Sequence, residues 1–258
     1  MLPRIGSLFA GIGGLELGLE VAGVGRTVWQ VEIDPYCRSI LVHHWPVADR
    51  SVIDVCEANA TTLAAVDVLC GGFPCQDISV AGTGKGLAGA RSGLAYEYLR
   101  IIAELHPQLV VMENVYQGWK RWVPELRRLL HGLGYASVPL RLSAAEVGAP
   151  HRRYRVFLVA YPHGVPLGDE SASGADADGR PRQGRASADP ASARLEGSRE
   201  RLPAVGAWDW GTHPPSVRDV DDGISAGLAR DRLRALGNAV VPQCAEVVGR
   251  WCVANGLL

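Results

Sequence analysis

Short apolar stretches alternate with helical ones from residue 4 to residue 160, and this alternation restricts the fold more than any other feature of the chain. Residues 4–9, 27–32, 66–70, 108–112, 136–142 and 154–160 read as strands. Residues 14–22, 35–44, 93–105 and 119–133 carry helical apolar spacing, with Pro35 in the first turn of the second helix. A strand such as Gln108-Leu-Val-Val-Met112 has almost no polar face, so both of its sides must be covered. The pattern predicts an α/β fold with a mostly parallel, doubly wound sheet. Further helices are predicted near 226–235 and from 242 to 256, with a Gly-Asn turn at 237–238 between them.

Composition narrows the class. The 258 residues are enough for one or two domains with a sizeable core. A net charge of −1 excludes a protein that coats nucleic acid by charge alone, though not one that grips it with a local patch. The cations are nearly all Arg, with only Lys85 and Lys120 as lysines, and residues 141–201 carry ten Arg against eight acids. The six cysteines form no CxxC pair and no zinc-binding spacing, so no metal site is expected and a reduced, cytoplasmic protein is. Gly11, Gly13 and Gly14 interrupt the apolar N-terminal stretch, which argues against a signal peptide. No apolar run is long enough to span a membrane. Residues 168–203 are rich in Gly, Ala, Ser, Asp, Pro and Arg and read as a long loop or flexible insert.

Five motifs carry chemistry. Phe9-Ala-Gly11-Ile-Gly13-Gly14 lies between a strand and a helix, where glycines let backbone approach a ligand; a tight turn with no ligand is the alternative. Glu32 ends the second strand, at the distance from that turn where an acid binds ribose hydroxyls. Gly71-Gly-Phe-Pro-Cys75-Gln-Asp-Ile-Ser79 follows the third strand. A Cys at the carboxyl end of a parallel strand, in a polar glycine-rich loop, is a candidate nucleophile. The alternative, a small buried hydrophobe, fits Gln76, Asp77 and Ser79 poorly. Met112-Glu113-Asn114-Val115 places an acid at the end of a buried strand, where desolvation would raise its pKa and let it hold a proton near neutrality. In His151-Arg152-Arg153-Tyr154-Arg155, alternation puts Arg153 and Arg155 on one side of the chain, and two adjacent guanidinia require anionic or carbonyl partners. Finally, Gly237-Asn238-Ala-Val-Val-Pro242-Gln243 precedes an apolar helix.

Taken together and in order, these motifs resemble those of the DNA cytosine-5 methyltransferase family, over residues 1–161 and 228–258. The resemblance implies a Rossmann-like, S-adenosylmethionine-dependent methyltransferase acting on double-stranded DNA through a covalent bond from Cys75 to C6 of a flipped cytosine. Phe9, Gly11, Gly13 and Gly14 would line the cofactor pocket. Glu32 would bind the ribose, Ile33 would pack on the adenine, Asp54 would meet the adenine edge, and Asn238 would close the pocket. Glu113 would engage N3 and the exocyclic amine, and Arg153 and Arg155 would fix the base and its phosphate. Residues 162–227 would form a short, irregular target-recognition region between a catalytic domain, 1–161, and a C-terminal segment, 228–258, that returns to it. The implied protein is a cytoplasmic monomer of a restriction-modification system. Alternatives are the same chemistry on tRNA, which the Pro74-Cys75-Gln76 sequence disfavours, and a catalytically weak relative that only binds cofactor or DNA. Two departures stand out. His151 occupies a place where the family has Gln, and the family's ninth motif is missing from 162–227, where Asp219 to Ser225 with Arg230, Arg232 and Arg234 would stand in for it.

Overall fold

The computed structural model describes residues 1–74, 93–167 and 226–258. Six strands form one sheet: β1 (Arg4–Leu8), β2 (Arg26–Val31), β3 (Val68–Gly72), β4 (Leu109–Val115), β5 (Tyr135–Ser143) and β6 (Tyr154–Pro162). Their order across the sheet is β2-β1-β3-β4-β6-β5. β1, β2, β3 and β4 pair in parallel, while β6 runs antiparallel to both β4 and β5. The sheet is therefore mostly parallel, with one reversed strand. β5 lies at the edge, which suits Pro139: a residue without an N–H fits a strand with one unpaired side.

The helices are α1 (Gly14–Val21), α2 (Pro35–His44), α3 (Gly93–Leu105), α4 (Trp119–Gly132), α5 (Ala226–Asn238) and α6 (Pro242–Ala254). α2 starts as a helix should, with Pro35 in its first turn and the Asp34 carboxylate accepting from Tyr36 N at 2.9 Å and Cys37 N at 3.2 Å. Two apolar layers cover the sheet. On one face, α3 and α4 bring Tyr98, Ile102, Trp122 and Leu126 onto Leu8, Leu69, Met112 and Leu158. On the other, α1 and α6 bring Leu15, Leu19, Val247 and Val248 onto Ile5, Val68, Val111 and Phe157. This is the doubly wound arrangement that strands without a polar face demand. Among the described residues no helix is long and apolar enough to cross a membrane.

Many element boundaries differ from the sequence reading; β3, for one, spans Val68–Gly72 rather than 66–70, and three further differences bear on the site or its packing. β4 does not stop at Met112 but runs to Val115, because β6 supplies backbone partners opposite Glu113, Asn114 and Val115. Glu113 therefore lies within a strand rather than in a loop. The Gly-Asn pair is the last turn of α5, not a turn after it. Arg153 explains that extension: its Nη2 donates to the carbonyls of Gly237 at 2.5 Å and Ala239 at 2.8 Å, satisfying acceptors that a helix end leaves free. α6 stops at Ala254, two residues short of the expected limit. The insert at 168–203, and most of the expected recognition region, lie outside the described residues.

Candidate active site

The site gathers where β1, β3 and β4 end along one rim of the sheet. In register, Leu8 faces Gly71 and Gly72 faces Glu113. After β1 the chain turns sharply. Phe9 takes a left-handed backbone, φ 54°, which is costly for a residue with a side chain and so marks a turn held by its surroundings. Gly11 follows at φ 57°, where a Cβ would meet no atom within 4 Å. The space over Gly11 is thus open to a ligand. Gly14 is the reverse case: its missing Cβ would fall 2.2 Å from the Val240 carbonyl, so this glycine seats the segment before α6 against α1.

Glu32 ties the turn to the end of β2. Its Oε2 accepts from Gly11 N at 2.7 Å and its Oε1 from Asp34 N at 2.8 Å. Each oxygen keeps a second lone pair, which is what a pair of ribose hydroxyls needs. Ile33, the next residue, is 65% exposed and presents an apolar side chain with no core to fill. Asp54 sits in the loop between α2 and β3, where its Oδ1 accepts from Cys56 N at 2.9 Å. Gly13 caps α1 and turns away from Gly11, toward the Trp45 ring.

Phe9, Gly11, Gly14, Gly72, Glu113 and Asn238 line one small cavity. The structure thus brings together glycine turn, strand-end acid and C-terminal Asn, residues drawn from across the sequence. Gly13, Glu32, Ile33 and Asp54 stand outside that cavity; the last three belong to the β2 end and the loop beyond it.

Glu113 is buried, and desolvation raises its pKa to about 7 against the opposing pull of Arg155 and Arg153. Arg155 Nε lies 2.8 Å from Glu113 Oε1. Gly72 makes room for the carboxyl, since a Cβ there would be 2.8 Å from Glu113 Oε2. The two arginines of the basic motif therefore divide. Arg155 takes the anionic partner and Arg153 the carbonyl partners at the end of α5 and just beyond it. His151 is exposed and lines a larger cleft with Arg153, Gly13, Trp45 and Pro242, which adjoins the small cavity across Gly14 and Val240.

Cys75 lies outside the described residues, but its approach does not. Phe73 is buried edge-on against Trp122, with ring centroids 5.8 Å apart. The Phe73 carbonyl accepts from Asn114 Nδ2 at 2.8 Å. Asn114 was within a quoted motif but had no role assigned; its signal was an amide beside a candidate acid at a strand end. Glu16 was missed altogether. It is fully buried on α1 between Leu15 and Leu19, and an acid within an apolar helix face was the sign available.

A mostly parallel sheet with one reversed strand, a glycine turn after β1 and an acid after β2 match the Rossmann-like fold of the methyltransferases. Residues 3–178 match the model of the C-5 cytosine-specific DNA methylases, and the chain belongs to that family. It is 31% identical over 162 residues to the type II methyltransferase M.HhaI of Haemophilus parahaemolyticus, covering 61% of this chain and 49% of that one. It is 33% identical over 183 residues to M.AquIA of Picosynechococcus sp., covering 62% and 72%. The chain spans about half the length of several of the curated relatives it matches. Among solved structures, the Entamoeba histolytica methyltransferase EhMeth superposes with a TM-score of 0.54 over 62% of this chain and 53% of that one. At 19% identity that is a likeness of fold alone.

Proposed function

We propose that the chain methylates C5 of a cytosine flipped from duplex DNA, with S-adenosylmethionine as donor. The observation that carries this reading is the shared cavity: Phe9, Gly11 and Asn238, the expected cofactor contacts, line the same space as Glu113, the expected base contact. The residues also fit the donor. Gly11 leaves open space, and Glu32 offers acceptors at the ribose position. Ile33 offers an exposed apolar side chain to an adenine face.

When bound, S-adenosylmethionine would supply an electrophilic methyl group, its S–CH3 bond breaking with the electron pair left on sulfur as a neutral thioether. The chain's residues make the base able to take it. The Cys75 thiolate adds to C6, forming a C–S bond and pushing the C5–C6 π electrons toward C5 and N3. Glu113, which burial keeps protonated up to about pH 7, gives its proton to N3 and so spreads the developing charge. Arg155, 2.8 Å from Glu113, stabilises the carboxylate left behind. C5 then takes the methyl. A base removes the C5 proton, the C6–S bond breaks, C5=C6 reforms, and N3 returns its proton to Glu113. The base must leave the duplex because stacking covers both faces of its ring.

Residues 162–227 carry target recognition in this reading, between the catalytic domain and the returning C-terminal segment. The protein acts as a cytoplasmic monomer, and the type II names of its relatives support a role in restriction-modification. The test is incubation with labelled S-adenosylmethionine and DNA of mixed sequence, with tRNA as competitor. Label at cytosine C5 that disappears in Cys75→Ala supports the reading. Absence of label, or label on tRNA alone, overturns it.

A further inference from the structure

Glu16 has no exposed surface. Among the described residues Gln30 Nε2 donates to Oε1 over a long 3.3 Å, and the Ser7 hydroxyl and the backbone of Glu16 itself also stand close to the carboxyl. Oε2 is buried without a hydrogen bond of ordinary geometry, as is the carbonyl oxygen of Gln30. The groups facing the carboxyl are the Ser7 hydroxyl on β1, the Gln30 amide on β2, the Cys70 thiol on β3 and Glu20 on its own helix. None of them is a cation. A buried acid in such company is pushed toward its neutral form by desolvation, and its pKa rises to about 7. Yet Glu16 is not sealed within the core. It lines the small cavity with Ser7, Phe9, Gly11 and Glu113, beneath the glycine turn. Only neutral donors, the Ser7 hydroxyl and the Gln30 amide, face a buried carboxyl that lines a cavity, and this points to a ligand that brings positive charge.

We propose that Glu16 is the counter-charge for the cationic methionyl end of the methyl donor. This rests on the cofactor reading given above. The donor carries two cations, a sulfonium and an ammonium, and either would supply what Oε2 lacks. A charge-assisted pair in a desolvated cavity is stronger than the same pair in water. Glu16 then acts as a positioning residue, fixing the methionyl tail so that the methyl faces the Glu113 side of the cavity.

Glu16→Gln keeps the shape and removes the charge. Its affinity is measured by calorimetry for three ligands: S-adenosylmethionine with both cations, S-adenosylhomocysteine with the ammonium alone, and 5′-methylthioadenosine with neither. The expected result is at least tenfold weaker binding of S-adenosylmethionine, with 5′-methylthioadenosine changed by less than about twofold. If S-adenosylhomocysteine weakens in parallel, the ammonium is the partner; if it is spared, the sulfonium is. Unchanged S-adenosylmethionine affinity, or equal loss for all three ligands, overturns the proposal. Melting of the ligand-free protein gives a second readout. Removing a desolvated charge leaves Tm equal or higher, whereas a purely structural acid would lower it. Should Glu16→Gln fail to fold, Glu16→Asp is read by the same comparison: selective weakening of S-adenosylmethionine supports the proposal and equal weakening overturns it. A wild-type protein that binds none of the three ligands would instead remove the cofactor reading itself.

Discussion

Asn114 donates from its side-chain amide to the carbonyl of Phe73 at 2.8 Å, joining β4 to the segment that leads into Cys75. The other end of the same amide is also committed, since Oδ1 accepts from Val115 N at 2.7 Å. Asn114 is 2% exposed, so neither bond is replaced by water when the side chain is lost. The proposed nucleophile follows Phe73 by two residues. The strand that carries the acid thus fixes the chain two residues before the thiol.

Asn114→Ala should lower kcat by about tenfold or more while leaving S-adenosylmethionine affinity nearly unchanged, because misplacement of a reacting group acts on the chemical step. The stability cost is about 1–3 kcal/mol for the unpaired carbonyl of Phe73. Single-turnover methylation and denaturant unfolding separate the two effects. A large fall in cofactor affinity with normal kcat would contradict the assignment.

Glu113 gives a pH prediction whose sign can be worked out. Burial lifts its folded pKa from 4.5 to about 7, so between those values the folded state binds more protons than the unfolded state. Its contribution makes stability fall as pH rises from about 4.5 to about 7, and Glu113→Gln should flatten that slope. The same substitution should lower the methylation rate by about 10²-fold or more, since an amide has no proton to give N3. It should also abolish the part of the wild-type decline above pH 7 that comes from this acid. Chemical denaturation and single-turnover rates across pH 4.5–8.5 check both effects.

The divided arginines should behave differently. Arg155 pulls the Glu113 pKa down, so Arg155→Ala should move the alkaline decline of the rate profile to higher pH. Arg153→Ala should instead loosen the end of α5, freeing the Gly237 and Ala239 carbonyls at a cost of about 1.5–3 kcal/mol for bonds from a charged donor. Amide exchange around residues 236–241 should quicken in Arg153→Ala and not in Arg155→Ala.

Two glycines separate binding from folding. Gly11→Ala places a methyl in open space at positive φ, a backbone strain of about 1–2 kcal/mol. It should weaken S-adenosylmethionine binding more than it lowers Tm. Gly14→Ala drives its methyl into the Val240 carbonyl and should lower Tm by several degrees, with the lost contact between α1 and the segment before α6 as the cause. Thermal melts with and without cofactor distinguish them.

The sheet was legible in the sequence because strands buried on both faces, such as Val68-Leu-Cys70 and Leu109-Val-Val-Met112, leave no other way to hide their side chains. The rim was legible in part. Glu32 beside the glycine turn and Glu113 near Gly72 followed from each residue's place at a strand end. The reversed direction of β6 was not visible, since an apolar strand has the same composition in either direction. That direction is what lengthens β4 past Glu113. Arg153 shows a different limit: alternation puts it beside Arg155, but its partners are carbonyls at and just past the end of α5, set by a packing contact far along the chain. Glu16 was hidden by its own surroundings, as a charge within an apolar face reads as an exception until its cavity is seen.

The position of α6 has a consequence for how the molecule is assembled. One whole face of the sheet is finished only when Val247 and Val248 reach Ile5, Val68 and Val111. A nascent chain that has emerged only through β6 carries all six described strands, yet Leu15 and Leu19 of α1 still lack the cover of α6. Such a partly made chain is a hydrophobic trough awaiting its lid, the kind of surface that chaperones hold and that misassociates at high concentration. Gly14 at the start of α1 and Val240 in the segment before α6 meet beside the same cavity, so its lining is complete only once that segment has been made. Protection of a nascent chain by a ligand of that cavity should therefore begin only after residue 240 has emerged.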